Sequence, residues 1–394
     1  MAAEYTLLVY DAFTLNLLGA IPQYTSLTYK RRDVVQGEFQ LALHRNTIEP
    51  DLISADRIFV VQRHDDEISD VLGDDIGAEF AGVILHRVYD AITETWTVRG
   101  PDLKWLLAGA QVVPASGQEY DAVNSVPAET ALKGYVSRQL VNPSDSDRAI
   151  GAMLDGVTFE IEADAARGTT VSFNGRHVNL LTSVLQPIAT SGNLLHDVVI
   201  VTDGTLILGY RYQVREPVDA TRSTGAVPVV FSTGWDNVAA LRYEENYLSV
   251  PNAVYVLGQG EGASRTVRTV LDSGSLATRF RREASIDSRN NATDAALDLD
   301  GQTVIDQAQA AARRVDAQPL PIGPARYRTD WDLGHDVTIA IPEIGVEFDR
   351  RIVEVSVTLN AQGEQIAVAL GSTIRPVGRL VADALKRTNR VQMT

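Results

Sequence analysis

The chain has 394 residues, 45% of them apolar and 22% charged, which is ordinary for a globular protein with a large core. The 51 aspartates and glutamates outnumber the 35 lysines and arginines, and the net charge of −16 disfavours general binding to DNA or RNA. The absence of cysteine excludes disulfides, thiolate metal sites and cysteine nucleophiles.

The length predicts two to four domains, because single cores stop growing well below this size. No apolar run approaches the length that spans a bilayer. The first residues, Met1-Ala2-Ala3-Glu4, carry no basic segment, so no standard signal peptide is expected.

The first hundred residues alternate between apolar and polar side chains, which predicts a series of short strands. The predicted strands are 5–10, 15–21, 26–32, 38–44, 57–62, 79–88 and 93–99. Short strands at this spacing, without a helical pattern between them, are typical of a sandwich or barrel.

After Gly100 the pattern becomes mixed α+β. The predicted helices are 101–107, 127–140 and 178–189. The predicted strands of this region are 158–162, 169–173, 195–202 and 205–212. Pro187 is expected to kink or shorten the third helix, and Asp203-Gly204 is a hairpin signal between the last two strands.

Strands predominate again in the second half of the chain. The predicted ranges are 240–247, 253–258, 265–272, 279–286, 336–341, 351–358 and 365–370. One helix interrupts them, because Val304, Ala308, Ala311, Ala312 and Val315 share a face. The segment 379–390 predicts a short basic helix or tail.

The first strand block is partly repeated later in the chain. Residues 27–29 match 241–243 and residues 39–43 match 253–257, both at an offset of 214. Further on, residues 55–60 resemble 335–340 at an offset of 280, and Glu79-Phe80 matches Glu347-Phe348. The change of offset fits an insertion at about 263–324. A duplicated domain is favoured over the alternative that any two β-domains share alternating patterns.

Enzyme motifs are missing from the sequence. The histidines form no metal-binding pair, and no G-x-S-x-G segment is present. Gly258-Gln259-Gly260-Glu261-Gly262-Ala263 follows a strand but precedes another alternating stretch, so it predicts a hairpin or crossover rather than a phosphate loop.

Two groups of acidic residues are incomplete calcium loops, and solvated loops are the favoured interpretation of both. The first is Asp65-Asp66-Glu67, Asp70, Asp74-Asp75 and Glu79; the second is Asp298-Leu299-Asp300-Gly301 with Asp306. A carboxylate pair for glycoside hydrolysis stays open, because its spacing is spatial rather than sequential.

Several segments, in this order and spacing, resemble the siphophage tail hub proteins, also called minor tail or tail-associated proteins. They are Glu79-Phe80-Ala81-Gly82-Val83-Ile84, residues 96–107, Asn179-Leu180-Leu181, residues 252–258, Arg281-Arg282-Glu283 and residues 327–334. The likeness extends from about residue 27 to residue 371.

The resemblance implies a mainly β fold related to the baseplate hubs of contractile tails. It has two related tube-protein-like β-barrels with α+β accessory regions and inserted helical or mixed domains. The expected boundaries are 1–100 for the first barrel, 101–194 for a mixed domain, 195–262 and 325–372 for the two parts of the second barrel, 263–324 for an insertion and 373–394 for the tail.

The function implied by the resemblance is a structural hub in the virion, at the tail tip, made in the host cytoplasm. A homotrimer would present six similar barrels and match a six-fold tube above it. The implied partners are the distal tail protein, the tail tube protein, the C-terminus of the tape-measure protein and, where the tail has one, a separate fibre, spike or receptor-binding protein, with DNA only in transit. No cofactor, metal or catalytic residue is expected.

Two other functions stay open at this point. The first is a tail-tip enzyme that degrades the host cell wall, which needs a catalytic constellation. The second is a carbohydrate-binding tail module, which is expected to expose clustered aromatic residues. The four tryptophans are scattered along the chain, at Trp96, Trp105, Trp235 and Trp331.

The interface candidates come from a sign difference between the matched strands. Lys30, Arg31 and Arg32 align with Glu244, Glu245 and Asn246. This difference predicts a contact between barrels in which the basic segment faces the acidic one. The channel wall is expected to be net negative, which would keep DNA sliding, with Glu38, Glu244 and Glu245 as its acids.

Overall fold

The computed structural model describes residues 4–64, 78–203, 206–289, 293–320 and 325–371. The chain forms two compact units, which are described separately. The first unit comprises Met1–Ala240 and Ala317–Val368, and the second comprises Leu241–Asp316 and Ala369–Thr394. The first unit is therefore built from two distant stretches of sequence.

The strands of the first hundred residues lie close to their predicted positions. They are β1 Glu4–Asp11, β2 Leu17–Ala20, β3 Ser26–Arg32, β4 Glu38–His44, β5 Arg57–His64, β6 Ala78–Ile84, β7 His86–Asp90 and β8 Thr95–Pro101. The single strand predicted at 79–88 is two strands, because β6 pairs with β5 and β7 pairs with β8 in a different sheet.

The mixed block follows, and two of its helices lie near their predicted ranges, whereas the helix predicted at 101–107 is a single turn that begins at residue 105. Its elements are α1 Trp105–Ala108, β9 Asp121–Pro127, α2 Ala128–Val136, β10 Thr158–Ile161, β11 Thr170–Gly175, α3 Gln186–Gly192, β12 Leu195–Asp203 and β13 Leu206–Arg215. The helix runs without a break from a π-helical turn at Leu181–Leu185 into α3, so the departure from regular α-helix lies in the turn before Pro187. β12 and β13 are antiparallel, while Gly204 of the predicted turn lies outside the described residues.

The remaining elements are mostly strands. They are β14 Val218–Ala220, β15 Val230–Ser232, β16 Val238–Glu245, β17 Ala253–Leu257, β18 Val267–Leu271, α4 Ser273–Leu276, β19 Glu283–Asp287, α5 Asp294–Ala312, β20 Arg313–Pro319, β21 His335–Ile341, β22 Val346–Asn360 and β23 Gly363–Leu370. The predicted tail at 379–390 lies outside the described residues.

The predicted helix around Val304 starts ten residues earlier than expected. It begins at Asp294, where the Thr293 hydroxyl caps it by accepting a hydrogen bond from the Ala296 N–H at 3.3 Å. The prediction was wrong for Val315, which is fully buried in β20 instead of lying on the helix. An apolar residue one turn beyond Ala312 fits either element, and local periodicity does not distinguish them.

The largest sheet has a repeated strand order. It runs β16-β20-β23-β22-β3-β4-β8-β7, with β21, β14 and β15 attached beside β22. The order has two halves, β16-β20-β23-β22 and β3-β4-β8-β7. In each half, the strand that comes fourth along the chain lies between the second and the third, and this shared order supports the duplication inferred from the sequence. The counterpart of β4 in this order is β20, so the match of residues 39–43 with 253–257 was wrong.

A second sheet of the first unit, in the order β2-β1-β5-β6, faces the half of the large sheet that contains β3, β4, β8 and β7. Aromatic rings join the two layers: between ring centroids, Phe39 stacks on Phe59 at 4.7 Å and meets Phe80 edge-on at 5.9 Å. The backbones approach most closely at Gly100, where an added Cβ would lie 1.7 Å from the carbonyl oxygen of Val83. Only glycine fits this position.

The second unit contains a small sheet, β18-β17-β19, with α5 packed against β17 and β18. Val254, Val256, Leu297 and Ile305 form its buried core. The glycine-rich segment after β17 leads directly into antiparallel β18. It is therefore a hairpin connection, as predicted, rather than a phosphate loop. No α-helix among the described residues is both long and apolar enough to cross a bilayer.

Candidate functional site

The basic triplet of the sequence lies on β3, where alternation sends its side chains to two faces. Arg31 points inward with Leu27 and Tyr29, and its side chain is 12% exposed. Lys30 and Arg32 point outward and are 34% and 22% exposed. The three residues therefore do not act as one surface patch.

The two outward cations are paired within the chain. Arg32 Nε lies 2.6 Å from Glu354, and Glu38 lies 3.0 Å from Arg32 and 3.2 Å from Lys30. Partial burial acts to raise the pKa of Glu38, but the two cations outweigh it and lower the pKa. Glu38, which the sequence suggests as an acid of the channel wall, is locally neutralised.

The acidic candidates lie on β16 and also have local partners. Arg242 Nη2 lies 3.1 Å from Glu244. Glu245 accepts a hydrogen bond from the Tyr243 hydroxyl and lies 3.3 Å from Arg313 Nε. Both carboxylates keep about two fifths of their side chains exposed, so they are accessible for a contact with another chain. The contact between basic and acidic segments stays a prediction.

The inward Arg31 belongs to a buried ion cluster that no local sequence pattern predicts. Its Nη1 donates to Asp332 and to the Tyr327 hydroxyl, both at 2.6 Å. Arg328 contacts Glu79 at 2.9 Å and Asp332 at 2.6 Å, and the Tyr327 hydroxyl donates to Glu79. Two arginines and two carboxylates thus balance in charge, and they join the two stretches of sequence that form the first unit.

Electrostatics stabilise this cluster in its charged form. Burial acts to raise the pKa of Asp332, but the guanidinium groups of Arg31 and Arg328 outweigh it and hold the pKa well below its usual range. Glu79 and the segment 327–334 both belong to the segments that carry the family resemblance. Because their proximity is tertiary, no local signal identified them as partners.

A second buried cluster surrounds Lys104, whose side chain is 1% exposed. Its ammonium donates to the carbonyl of Arg32 at 2.9 Å and to Asp102 at 3.2 Å, and lies 3.5 Å from Asp197. Asp102 also accepts the N–H of Gly37 at 2.7 Å. The cluster connects the turn after β3, the segment after β8 and β12.

Asp33, beside this cluster, predicts a pH dependence of stability. Burial raises the pKa of Asp33 to about 7, against an unfolded value near 4, so the folded state holds its proton more tightly. The stabilisation that Asp33 contributes is fully present below pH 4 and is lost as the pH rises through 7. We expect Asp33→Asn to be increasingly stabilised relative to the wild type between pH 4 and 8, by urea unfolding.

The nearby His196 changes stability with pH in the opposite direction to Asp33. Burial and Lys104 lower the pKa of His196 to about 3, so His196 contributes stability that is lost as the pH falls below its unfolded pKa near 6.5 toward 3. Because His196 is present in both proteins, its effect cancels in the difference between them. A difference that does not change with pH would contradict the role of Asp33.

The junction between the two halves of the large sheet lies within the first unit. β22 and β3 are antiparallel, with Leu359 opposite Leu27 and Glu354 opposite Arg32. The outward face of the junction is closed by the Arg32–Glu354 ion pair and by a hydrogen bond of 3.1 Å between the hydroxyls of Thr28 and Thr358. The two halves are therefore joined by continuous backbone pairing with matched side chains.

Strand β7 ends the strand order of the large sheet, and all five of its residues are exposed. Among the described residues its backbone pairs only with β8, so one edge is unpaired. Tyr89 packs on Trp96 at 4.8 Å between centroids, and the Arg87 guanidinium lies 5.6 Å from the Trp96 ring. The unpaired backbone groups of such an edge can hydrogen-bond to a strand of another chain.

The described residues contain no group of three or more side chains arranged to bind a metal ion. Asp298 and Asp300 lie inside α5 rather than in the loop that was favoured, and Asp298 pairs with Arg268 at 2.6 Å. The acidic segment from Asp65 to Asp75 lies outside the described residues. A polar cavity of about 110 Å³ lies between the two ion clusters, with Arg31, Lys104 and Arg328 in its wall.

One protein family matches most of the chain. The model of the family described as Siphovirus ReqiPepy6 Gp37-like protein matches residues 6–372. No curated protein matches the sequence.

Solved structures resemble the fold over nearly the whole chain. The 43 kDa tail protein of prophage MuSo2 from Shewanella oneidensis is 14% identical, covering 94% of this chain and 98% of that one, with a TM-score of 0.59. A tail protein from Neisseria meningitidis MC58 is also 14% identical, with coverages of 94% and 97% and a TM-score of 0.56. The Francisella PdpA–VgrG complex, lidded, contains a chain 10% identical, with coverages of 95% and 53% and a TM-score of 0.51.

Proposed function

Since the chain belongs to the Siphovirus ReqiPepy6 Gp37-like protein family, we propose that it forms a homotrimeric hub at the distal end of a phage tail tube. The coarser assignment is that of a structural tail protein with a hub-like, mainly β fold. Our proposal adds that the protein is a trimer, that it lies at the distal end of the tail tube, and that it encloses a channel along its axis.

The observation that carries the proposal is the doubled strand order of the large sheet. Each half contributes four strands in the same order, and the two halves meet through β22 and β3. Three chains joined by the same kind of pairing would arrange six similar halves around one axis. Such a ring has exact three-fold symmetry, because it contains three identical chains. Its backbone has approximate six-fold symmetry, because each chain contributes two similar halves.

The edges of the sheet support closure into a ring. The strand order ends at β16 on one side and at β7 on the other, and neither end has a second partner within the described residues. An exposed strand edge is unfavourable in an isolated protein, because its backbone groups invite pairing with other chains. Pairing β7 of one copy with β16 of the next would satisfy both edges at each of three junctions.

The ring gives the protein a mechanical role without catalysis. Its near six-fold side would meet the tube and distal tail proteins, and its three-fold side would receive the tail tip and any separate fibre, spike or receptor-binding protein. The opening along the axis would hold the C-terminus of the tape-measure protein and pass DNA. The paired Lys30, Glu38, Arg32 and Glu354 on the outward face limit the phosphate-binding capacity of that face.

The mass in solution tests the proposal directly. Analytical ultracentrifugation of the full chain is expected to show a species of about 128 kDa, three times the chain mass of 42.8 kDa. Electron microscopy of that species should show a ring with six similar lobes. A particle that remains at 42.8 kDa up to high concentration would contradict the trimer.

A further inference from the structure

We infer that the trimer closes with one defined register, in which Arg87 of one copy lies opposite Glu245 of the next and Asp90 lies opposite Arg242. This inference rests on the proposed trimer and names the residues that join its chains. It assigns to strands β7 and β16 the same antiparallel geometry that β22 and β3 have within the chain.

The first step is the equivalence of the strands. Leu27-Thr28-Tyr29 of β3 matches Leu241-Arg242-Tyr243 of β16, an offset of 214, and both strands come first in their half of the sheet. Glu79-Phe80 matches Glu347-Phe348, an offset of 268. With this offset, β6 and β7 together correspond to the single long strand β22.

The second step transfers the register. Within the chain, Val357 lies opposite Tyr29, and Val355 lies opposite Arg31. Applying the two offsets places Tyr89 opposite Tyr243 and Arg87 opposite Glu245. On the other face the same register places Asp90 opposite Arg242, Val88 opposite Glu244 and His86 opposite Asn246.

Charge distinguishes this register from its neighbours. Slips by one residue exchange the two faces of the strand, so the competing registers differ by two. The assigned register opposes unlike charges twice, at Arg87 with Glu245 and at Asp90 with Arg242. A slip by two in one direction places Asp90 opposite Glu244, two like charges, which disfavours pairing.

The side chains involved remain accessible in the single chain. Asp90 is exposed and accepts the N–H groups of Ile92 and Thr93 through Oδ1. Arg242 keeps 74% of its side chain exposed, and Glu245 keeps 42%. Arg87 donates one hydrogen bond, to the carbonyl of Pro50 at 2.9 Å.

Disulfide trapping tests the register, since the chain has no cysteine of its own. The double variant Val88→Cys with Glu244→Cys places two thiols directly opposite each other across the junction, within reach of a disulfide. Mild oxidation is expected to convert it to covalently linked trimers on a non-reducing gel. Two matched variants probe the slipped registers: Val88→Cys with Arg242→Cys, and Val88→Cys with Asn246→Cys.

A charge reversal gives a second readout. Arg87→Glu is expected to weaken the trimer roughly tenfold through its three junctions. Adding Glu245→Arg to the same chain is expected to restore most of that loss. Because the reversal also removes intrachain contacts of both residues, only an effect at the junction is rescued by the exchange.

The outcomes separate the register from the trimer itself. Fast crosslinking of the Glu244 pair together with rescue of the charge reversal supports the inference. The protein could instead sediment as a trimer but crosslink fastest in the variants with Arg242→Cys or Asn246→Cys, or in none of the variants. That result overturns the register and leaves the trimer unaffected. A chain that is monomeric at every concentration overturns the proposed function, and the register falls with it.

Discussion

Replacing Glu79 with alanine is expected to lower the free energy of unfolding by about 3–5 kcal/mol, because it leaves a buried arginine without its counter-charge. The Glu79 side chain is 1% exposed and holds Arg328 at 2.9 Å and the Tyr327 hydroxyl. Without it, Arg31 and Arg328 share Asp332 alone. Urea unfolding followed by circular dichroism measures the change.

An exposed ion pair of the same unit provides the matched control. Glu160 and Arg211 lie 3.3 Å apart with side chains 50% and 42% exposed. Glu160→Ala is expected to change stability by about 0–1 kcal/mol, since exposed pairs contribute little. Equal losses in the two variants would show that the buried cluster is no stronger than a surface pair. Glu79→Gln should fall between them, because it keeps the hydrogen-bonding shape without the charge.

Substituting Lys104 with methionine is expected to cost about 3–5 kcal/mol at pH 8, although the apolar stem of the side chain is kept. The loss arises at Asp102, which would be buried without its cation. Burial already raises the pKa of Asp102, and removal of Lys104 raises it further. Since protonation removes the unpaired charge, the loss should be smaller at pH 5 than at pH 8.

A double-mutant cycle with Asp102→Asn isolates this interaction. Asp102→Asn alone leaves Lys104 with Asp197 at 3.5 Å, and the double variant removes both charges of the closest pair. The double variant should therefore be more stable at pH 8 than Lys104→Met alone. If the two single losses simply add, Lys104 and Asp102 are not coupled, and the stated cause of the loss is wrong.

The sequence by itself determined the strand content of the first hundred residues. Alternation placed β3 and β4 at their observed bounds, because an exposed and a buried face impose a period of two. The helix at α2 and the hairpin after β17 were also local decisions. The ordered segments of the family resemblance gave the tail-hub assignment, which the family match supports.

Pairing across long sequence distances was beyond these local patterns. The sequence marked Lys30, Arg31 and Arg32 as one basic segment, but the fold buries Arg31 and leaves its neighbours outward. Its partner Asp332 lies 301 positions away, and no period or motif encodes that contact.

Tertiary structure also decided which strands share a sheet. The alternating stretch predicted as one strand at 79–88 splits into β6 and β7, because β6 pairs in one sheet and β7 in another. The counterpart of β4 proved to be β20, a strand that follows a helix and has no matching sequence. Local periodicity fixes which face of a strand is buried, whereas the choice of its neighbours depends on backbone hydrogen bonds and buried charges that come from distant parts of the chain.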